Sequence, residues 1–231
     1  MLKIISHKDI NELSKAAVGI LAEKINVLLK TQKYVILGIS GGRSVKMIFE
    51  LLKDEKRINW KKVHIFMADE RWVPISHEDS NYRLAKETFI DYLIDKKKLP
   101  KKNTHPFLIH ENDELSMGQY EGELKALSDE YDIAIFGAGE DGHVASLYPA
   151  HSSLNDDSDY FIKVEDSPKP PKKRLSMSRK MILKTKTAFV LFTGEGKKHA
   201  YYDFKRNEDF RSCPAKLVKF VKDAYVFTDL E

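Results

Sequence analysis

Five short apolar runs, separated by segments with helical periodicity, leave few folds open to this chain. The runs cover residues 34–38, 63–67, 131–136, 188–192 and 224–227. Each is four to six residues long and nearly uniformly apolar, which fits strands buried on both faces. Between them, residues 10–29 carry Leu13, Ala16, Ala17, Ile20, Leu21, Ile25 and Leu28 on one helical face. Further helices are predicted over 45–52, 81–94 and 118–127, and from about residue 196. Strands alternating with helices predict an α/β fold, a mainly parallel twisted sheet with helices on both faces.

The length of 231 residues suits one domain over residues 1–231. Mean hydropathy is −0.44, and no apolar run approaches the roughly 20 residues of a membrane-spanning helix. The opening residues 1–8 lack the apolar core of an export signal, and Cys213 is the only cysteine. A disulfide framework and a multi-cysteine zinc site are thereby excluded, and the cytoplasm is the expected compartment. Lys and Arg number 39 against 35 Asp and Glu, a formal charge of +4. That balance is too slight for a protein built on nucleic-acid phosphates, yet it leaves room for a small anionic ligand.

In open α/β sheets, ligands bind beyond the carboxyl ends of the strands. Four such ends here are glycine-rich or charged: Gly38-Ile39-Ser40-Gly41-Gly42-Arg43-Ser44, Ala68-Asp69-Glu70-Arg71-Trp72, Gly137-Ala138-Gly139-Glu140-Asp141-Gly142-His143 and Thr193-Gly194-Glu195-Gly196-Lys197. Alone, each is a weak signal. At successive strand ends they converge on one rim.

Two of these stretches match familiar patterns that their contexts reject. Gly38-x-Ser40-x-Gly42 fits a nucleophile elbow, but paired glycines leading into a helix make a better phosphate cradle of backbone N–H groups. Gly137-x-Gly139-x-x-Gly142 fits a dinucleotide fingerprint, but Pro149 stops any following helix and the Asp141 carboxylate would repel a pyrophosphate.

A lone histidine is more often packing than catalysis. His143, two residues after Asp141 on a loop at a strand end, can instead be a base oriented by a carboxylate. Asp69, Glu70 and Arg71 could be a surface charge cluster, but their place directly after a buried strand favours function. Lys197 could be solvated or could reach a phosphate. Lys96-Lys97-Lys98 reads as a solvated loop. Residues 167–174, with three prolines, are stiff and extended, and they deliver Arg174 to a strand-like 175–177.

These residues resemble the 6-phosphogluconolactonase family, over nearly the whole chain. The resemblance rests on Ser40-Gly41-Gly42, on 69–74 with Ser80-Asn81-Tyr82-Arg83, on 137–149, on Pro168-Lys169-Pro170-Pro171 leading to Arg174, and on Thr193-Gly194-x-x-Lys197 with Pro214-Ala215. It implies the fold shared with glucosamine-6-phosphate deaminases and sugar-phosphate isomerases. It also implies a cytoplasmic enzyme of the oxidative pentose phosphate pathway, acting without cofactor or metal on a phosphorylated sugar lactone, as monomer or homodimer, with no nucleic-acid or membrane partner. Arg43 stands where the family usually has a small hydroxyl residue, and its guanidinium would favour an anion. The deaminases share the Asp-Gly-His loop but follow it with a glutamate; Tyr148 stands at that position. A non-catalytic sugar-phosphate sensor on the same fold is the third reading; it would have lost the Asp141 and His143 that this chain retains.

The expected site then divides in two. His143, Asp141, Asp69 and Arg71 would serve the reacting ester, with His143 taking a proton from water and Arg71 or backbone N–H groups facing the oxyanion. Ser40, Gly41, Gly42, Arg43, Ser44, Arg174 and Lys197 would anchor the phosphate.

Overall fold

The computed structural model describes residues 1–206 and 209–231. In chain order the strands and helices are β1 (Leu2–Ser6), α1 (Ile10–Leu28), β2 (Val35–Ile39), α2 (Arg43–Leu52), β3 (Val63–Met67), β4 (Asp69–Arg71), α3 (Asn81–Ala85) and α4 (Asp91–Asp95). There follow β5 (Thr104–His105), α5 (Asp113–Lys125), β6 (Ile133–Gly137), β7 (Phe161–Val164), β8 (Arg174–Met177), α6 (Arg179–Lys184), β9 (Thr187–Phe192), α7 (Lys198–Lys205) and β10 (Asp223–Thr228).

Seven strands form a wholly parallel sheet in the order β1-β10-β9-β6-β2-β3-β5. Every residue of β2 and of β9 is buried, so both faces of the sheet centre are covered. The chain runs from β2 to β3 on one side and from β6 to β9 on the other, so it leaves these adjacent strands in opposite directions and a crevice opens at their carboxyl ends.

The expected α/β fold is observed, with local differences. The helix expected over 81–94 contains a π-turn at Lys86–Ile90 between α3 and α4. The helix expected from residue 118 starts at Asp113, because the Asn112 side chain accepts the Leu115 N–H and caps it. A second sheet is antiparallel and ordered β4-β8-β7; its β8 holds the strand-like 175–177, and its other two strands are not expected from the sequence. It is tied to the first through Ala68, whose N–H donates to the Ile39 carbonyl and whose own carbonyl accepts from Met177. Among the described residues no helix is long and apolar enough to cross a membrane.

Candidate active site

A cavity of about 660 Å³ lies at the carboxyl ends of β2, β6 and β9, closed on one side by the small sheet. It is of the size expected for a small-molecule site. Ser40, Gly41, Gly42, Arg43, Ser44, Asp69, Arg71, His143, Arg174 and Lys197 all line it. Asp141 stands just behind, in contact with His143.

The first wall is the turn from β2 into α2. Gly42 has φ +100°, a left-handed conformation natural to glycine, and α2 begins without a side-chain cap. Its first N–H groups therefore face outward as donors for an anion. Gly41 is required for a different reason: a Cβ there would lie 1.9 Å from Asn81 Oδ1. The Arg43 side chain is exposed and pairs with Glu140 at 3.4 Å. Ser44 Oγ accepts from Thr193 Oγ1 at 2.9 Å, joining this turn to the one after β9.

The second wall comes from β4. Glu70 is fully buried and does not line the cavity. Its carboxylate accepts from the N–H groups of Arg71, Asn81 and Tyr82 and from Ser80 Oγ, so it organises the approach to α3. Burial pushes its pKa up to about 7 against those four donors. Arg71, its neighbour, faces the cavity and donates from Nη1 to the Asp79 carbonyl. Asp69 accepts at Oδ2 from Ser146 Oγ, while Asn81 Nδ2 donates to the Asp69 carbonyl.

The third wall is the loop after β6. Gly139 N–H donates to the His143 carbonyl, Gly142 N–H to the Gly139 carbonyl, and Ala215 N–H to the Gly142 carbonyl. These bonds close the loop, and Gly142 takes φ +81°. Asp141 Oδ1 and His143 Nδ1 are 2.5 Å apart, which leaves Nε2 as the free ring nitrogen. Burial alone would raise the Asp141 pKa, but the hydrogen bond and charge of His143, then the charge of Lys169, hold it well below the usual carboxylate range. The Tyr148 ring lies 4.7 Å from the imidazole, and its hydroxyl is hydrogen-bonded to Ser167 Oγ.

The fourth wall carries Lys197. Burial lowers its pKa and the nearby cations Lys169 and Arg43 lower it further, opposed by Glu140 and Asp141. Arg174 is buried, and Nε and Nη2 donate to the carbonyls of Pro171, Lys169 and Pro170. It therefore braces the proline-rich loop while also lining the cavity.

Residues to which sequence reasoning gave no site role also reach this site: Asn81 and Glu140 line the cavity, and Lys169 pairs with Asp141. Asn81 and Lys169 stand inside stretches noted above, but their partners lie far along the chain and only the fold brings them together.

A family model described as glucosamine-6-phosphate isomerases/6-phosphogluconolactonase matches residues 8–227. A 6-phosphogluconolactonase of Borreliella burgdorferi is 33% identical over 208 residues, covering 89% of this chain and 88% of the relative. Among solved structures, 6-phosphogluconolactonase from Thermotoga maritima superposes with a TM-score of 0.85 at 24% identity, over 99% of this chain and 98% of that one. A monomeric glucosamine-6-phosphate deaminase superposes with a TM-score of 0.78 at 20% identity, over 98% and 96%. The two structures share the fold, while both sequence matches span most of the chain and the family model's residues 8–227 take in every wall of the cavity. The chain therefore belongs to the glucosamine-6-phosphate isomerase/6-phosphogluconolactonase family.

Proposed function

We propose that the chain hydrolyses 6-phospho-D-glucono-1,5-lactone to 6-phospho-D-gluconate, the lactone-opening step of the oxidative pentose phosphate pathway. The observation that carries this reading is the Asp141–His143 pair, 2.5 Å apart, on the wall of a cavity that also holds an uncapped helix N-terminus and Lys197. A lactone is already an activated ester. It needs a base for water, donors for the oxyanion and an anchor for the remote phosphate.

In this mechanism His143 Nε2 accepts a proton from water as the water attacks C1. Asp141 holds the imidazole through Nδ1 and stabilises the imidazolium that forms. His143 then returns the proton to the departing ring oxygen. Arg71, with Asp69 beside it, faces the developing oxyanion. The N–H groups of Gly42, Arg43 and Ser44, with the Arg43 and Lys197 side chains, hold the phosphate. Gly41 gives it close approach, the unpartnered Ser40 hydroxyl adds a donor, and Arg174 adds charge from beneath. The reading extends to a cytoplasmic enzyme whose required partner is the small lactone alone.

Tyr148 speaks against the deaminase reading. Moving protons at carbon needs a further acid–base group, and this position holds a buried phenol bonded to Ser167 in place of a carboxyl. The test is acid release from freshly made lactone, followed above the spontaneous rate. Wild type should accelerate it, and His143→Ala should lose about 10²- to 10⁴-fold. Full activity in that variant sinks the mechanism, and ammonia release from glucosamine 6-phosphate selects the deaminase.

A further inference from the structure

The proline-rich stretch has no role in the mechanism above, yet it is heavily built. Arg174 Nε and Nη2 hold three consecutive carbonyls of it, those of Lys169, Pro170 and Pro171. Ser167 Oγ adds a second bond to the Lys169 carbonyl, at 2.8 Å, and also reaches the Tyr148 hydroxyl beside the imidazole. This backbone is fixed on both sides of Lys169. Its side chain ends with Nζ 3.6 Å from Asp141 Oδ1, the oxygen that faces His143.

We infer that Lys169 is a positioning residue of the Asp141–His143 pair, its ammonium sharing the carboxylate with the imidazole and disfavouring the imidazolium. The inference rests on the proposed lactonase reading for its consequence in catalysis, though not for its electrostatics. A carboxylate with one partner pulls a proton onto that partner. A carboxylate already facing a lysine pulls less, which favours the neutral imidazole that can accept a proton.

The other charges around the pair do not replace Lys169. Glu140, next in the chain, is paired with Arg43. Lys197, across the cavity, acts on Asp141 only from beyond ion-pair distance. Asp69 and Arg71 come from β4 and carry opposite signs. Tyr148 brings its ring against the imidazole, and the Cys213 thiol beneath Gly142 is kept protonated by burial, which pushes it up to about 11.

The experiment is Lys169→Met and Lys169→Arg in the full chain. The substitutions leave the backbone carbonyls that Arg174 and Ser167 hold. In the first measurement, the imidazole of His143 is titrated by NMR without substrate, assigned among the 8 histidines by its loss in His143→Asn. Lys169→Met should move its midpoint up by about half a pH unit, the order expected when a unit charge on the far side of one shared carboxylate oxygen is removed near a wet surface. Lys169→Arg should restore it, and 1 M salt should shrink the difference. In the second, the acid limb of kcat/KM for lactone opening should move up by the same amount. Well below the midpoint the variant would then lose about threefold more than well above it, the limit set by a shift of half a unit. An unmoved midpoint overturns the inference, as does a uniform loss at all pH or a rise in KM alone. If the midpoint moves but wild type does not hydrolyse the lactone, the lactonase reading fails and the electrostatic role stands.

Discussion

Ser40 Oγ, Asp69 Oδ1 and Asn81 Oδ1 are buried against the cavity with no hydrogen-bond partner among the described residues. Arg71 Nε is a fourth, and because buried polar atoms are almost always satisfied, four such orphans around one cavity mark a surface made for a ligand. Ser40→Ala removes such an atom without breaking any hydrogen bond its hydroxyl makes in the structure. It should leave Tm unchanged or slightly raised while lowering kcat/KM about 5- to 10-fold, a neutral hydrogen bond's worth. A fall in Tm that accompanies the loss would make Ser40 structural. The paired glycines beside it act by different means. Gly41→Ala drives a methyl onto the Asn81 carboxamide, whereas Gly42→Ala meets nothing within 4 Å and strains only the backbone. Both should lose activity, and only Gly41→Ala should also disturb α3, as amide exchange at Tyr82 and Arg83 would report. The glycines were legible in the sequence because a turn after a buried strand is a local pattern. The reason for Gly41 was not, because Asn81 reaches it only through the fold.

The strand–helix alternation was legible for the same reason: each central strand is a continuous apolar run, and burial on both faces demands that. The small antiparallel sheet was legible only in part: 175–177 reads as strand-like, but its partner Asp69–Arg71 is short and charged and does not read as a strand. That partner is defined by its pairing, not by its own residues. The parallel sheet's β5 edge, only two residues long, was equally silent, yet it carries a distinct polar chain. His64 Nδ1 meets His105 Nε2 at 3.0 Å, and His105 Nδ1 meets Glu123 Oε2 at 2.9 Å, with the His105 ring stacked on Phe66. Burial, then the charge of His105 and that of Lys102, lower the His64 pKa from 6.5 to about 4. The unfolded chain therefore takes up a proton near pH 6.5 that the folded chain refuses until about pH 4. Stability from this group is full above pH 6.5 and is lost as pH falls through that window. Calorimetric Tm values should drop across that interval in wild type and drop less steeply in His64→Gln. Parallel curves for the two proteins would remove His64 from the account of acid sensitivity.

Viewed across the molecule, the cavity is a seam. The cradle and His143 stand on the parallel sheet, whereas Asp69, Arg71 and Arg174 belong to the antiparallel one. A ligand that touches both should hold them together and stabilise the whole fold. The slight excess of positive charge, +4, says little about such a ligand. The placement of Arg43, Arg71, Arg174 and Lys197 around one cavity says more. The reaction product, 6-phosphogluconate, is a stable probe of this coupling. At about 100 times its Kd it should add about 2.7 kcal/mol to the unfolding free energy. In a chain of this length, about 2–4 °C accompanies each kcal/mol, so Tm should rise by about 5–10 °C. Gluconate, which lacks the phosphate, should give almost none of that rise at the same concentration, and Lys197→Met should reduce the response to the phosphorylated acid. Added salt should weaken it too, because the anchoring charges sit at an open rim where ions screen them. An equal rise with gluconate would place the binding energy in the sugar hydroxyls and deny the phosphate its role as anchor.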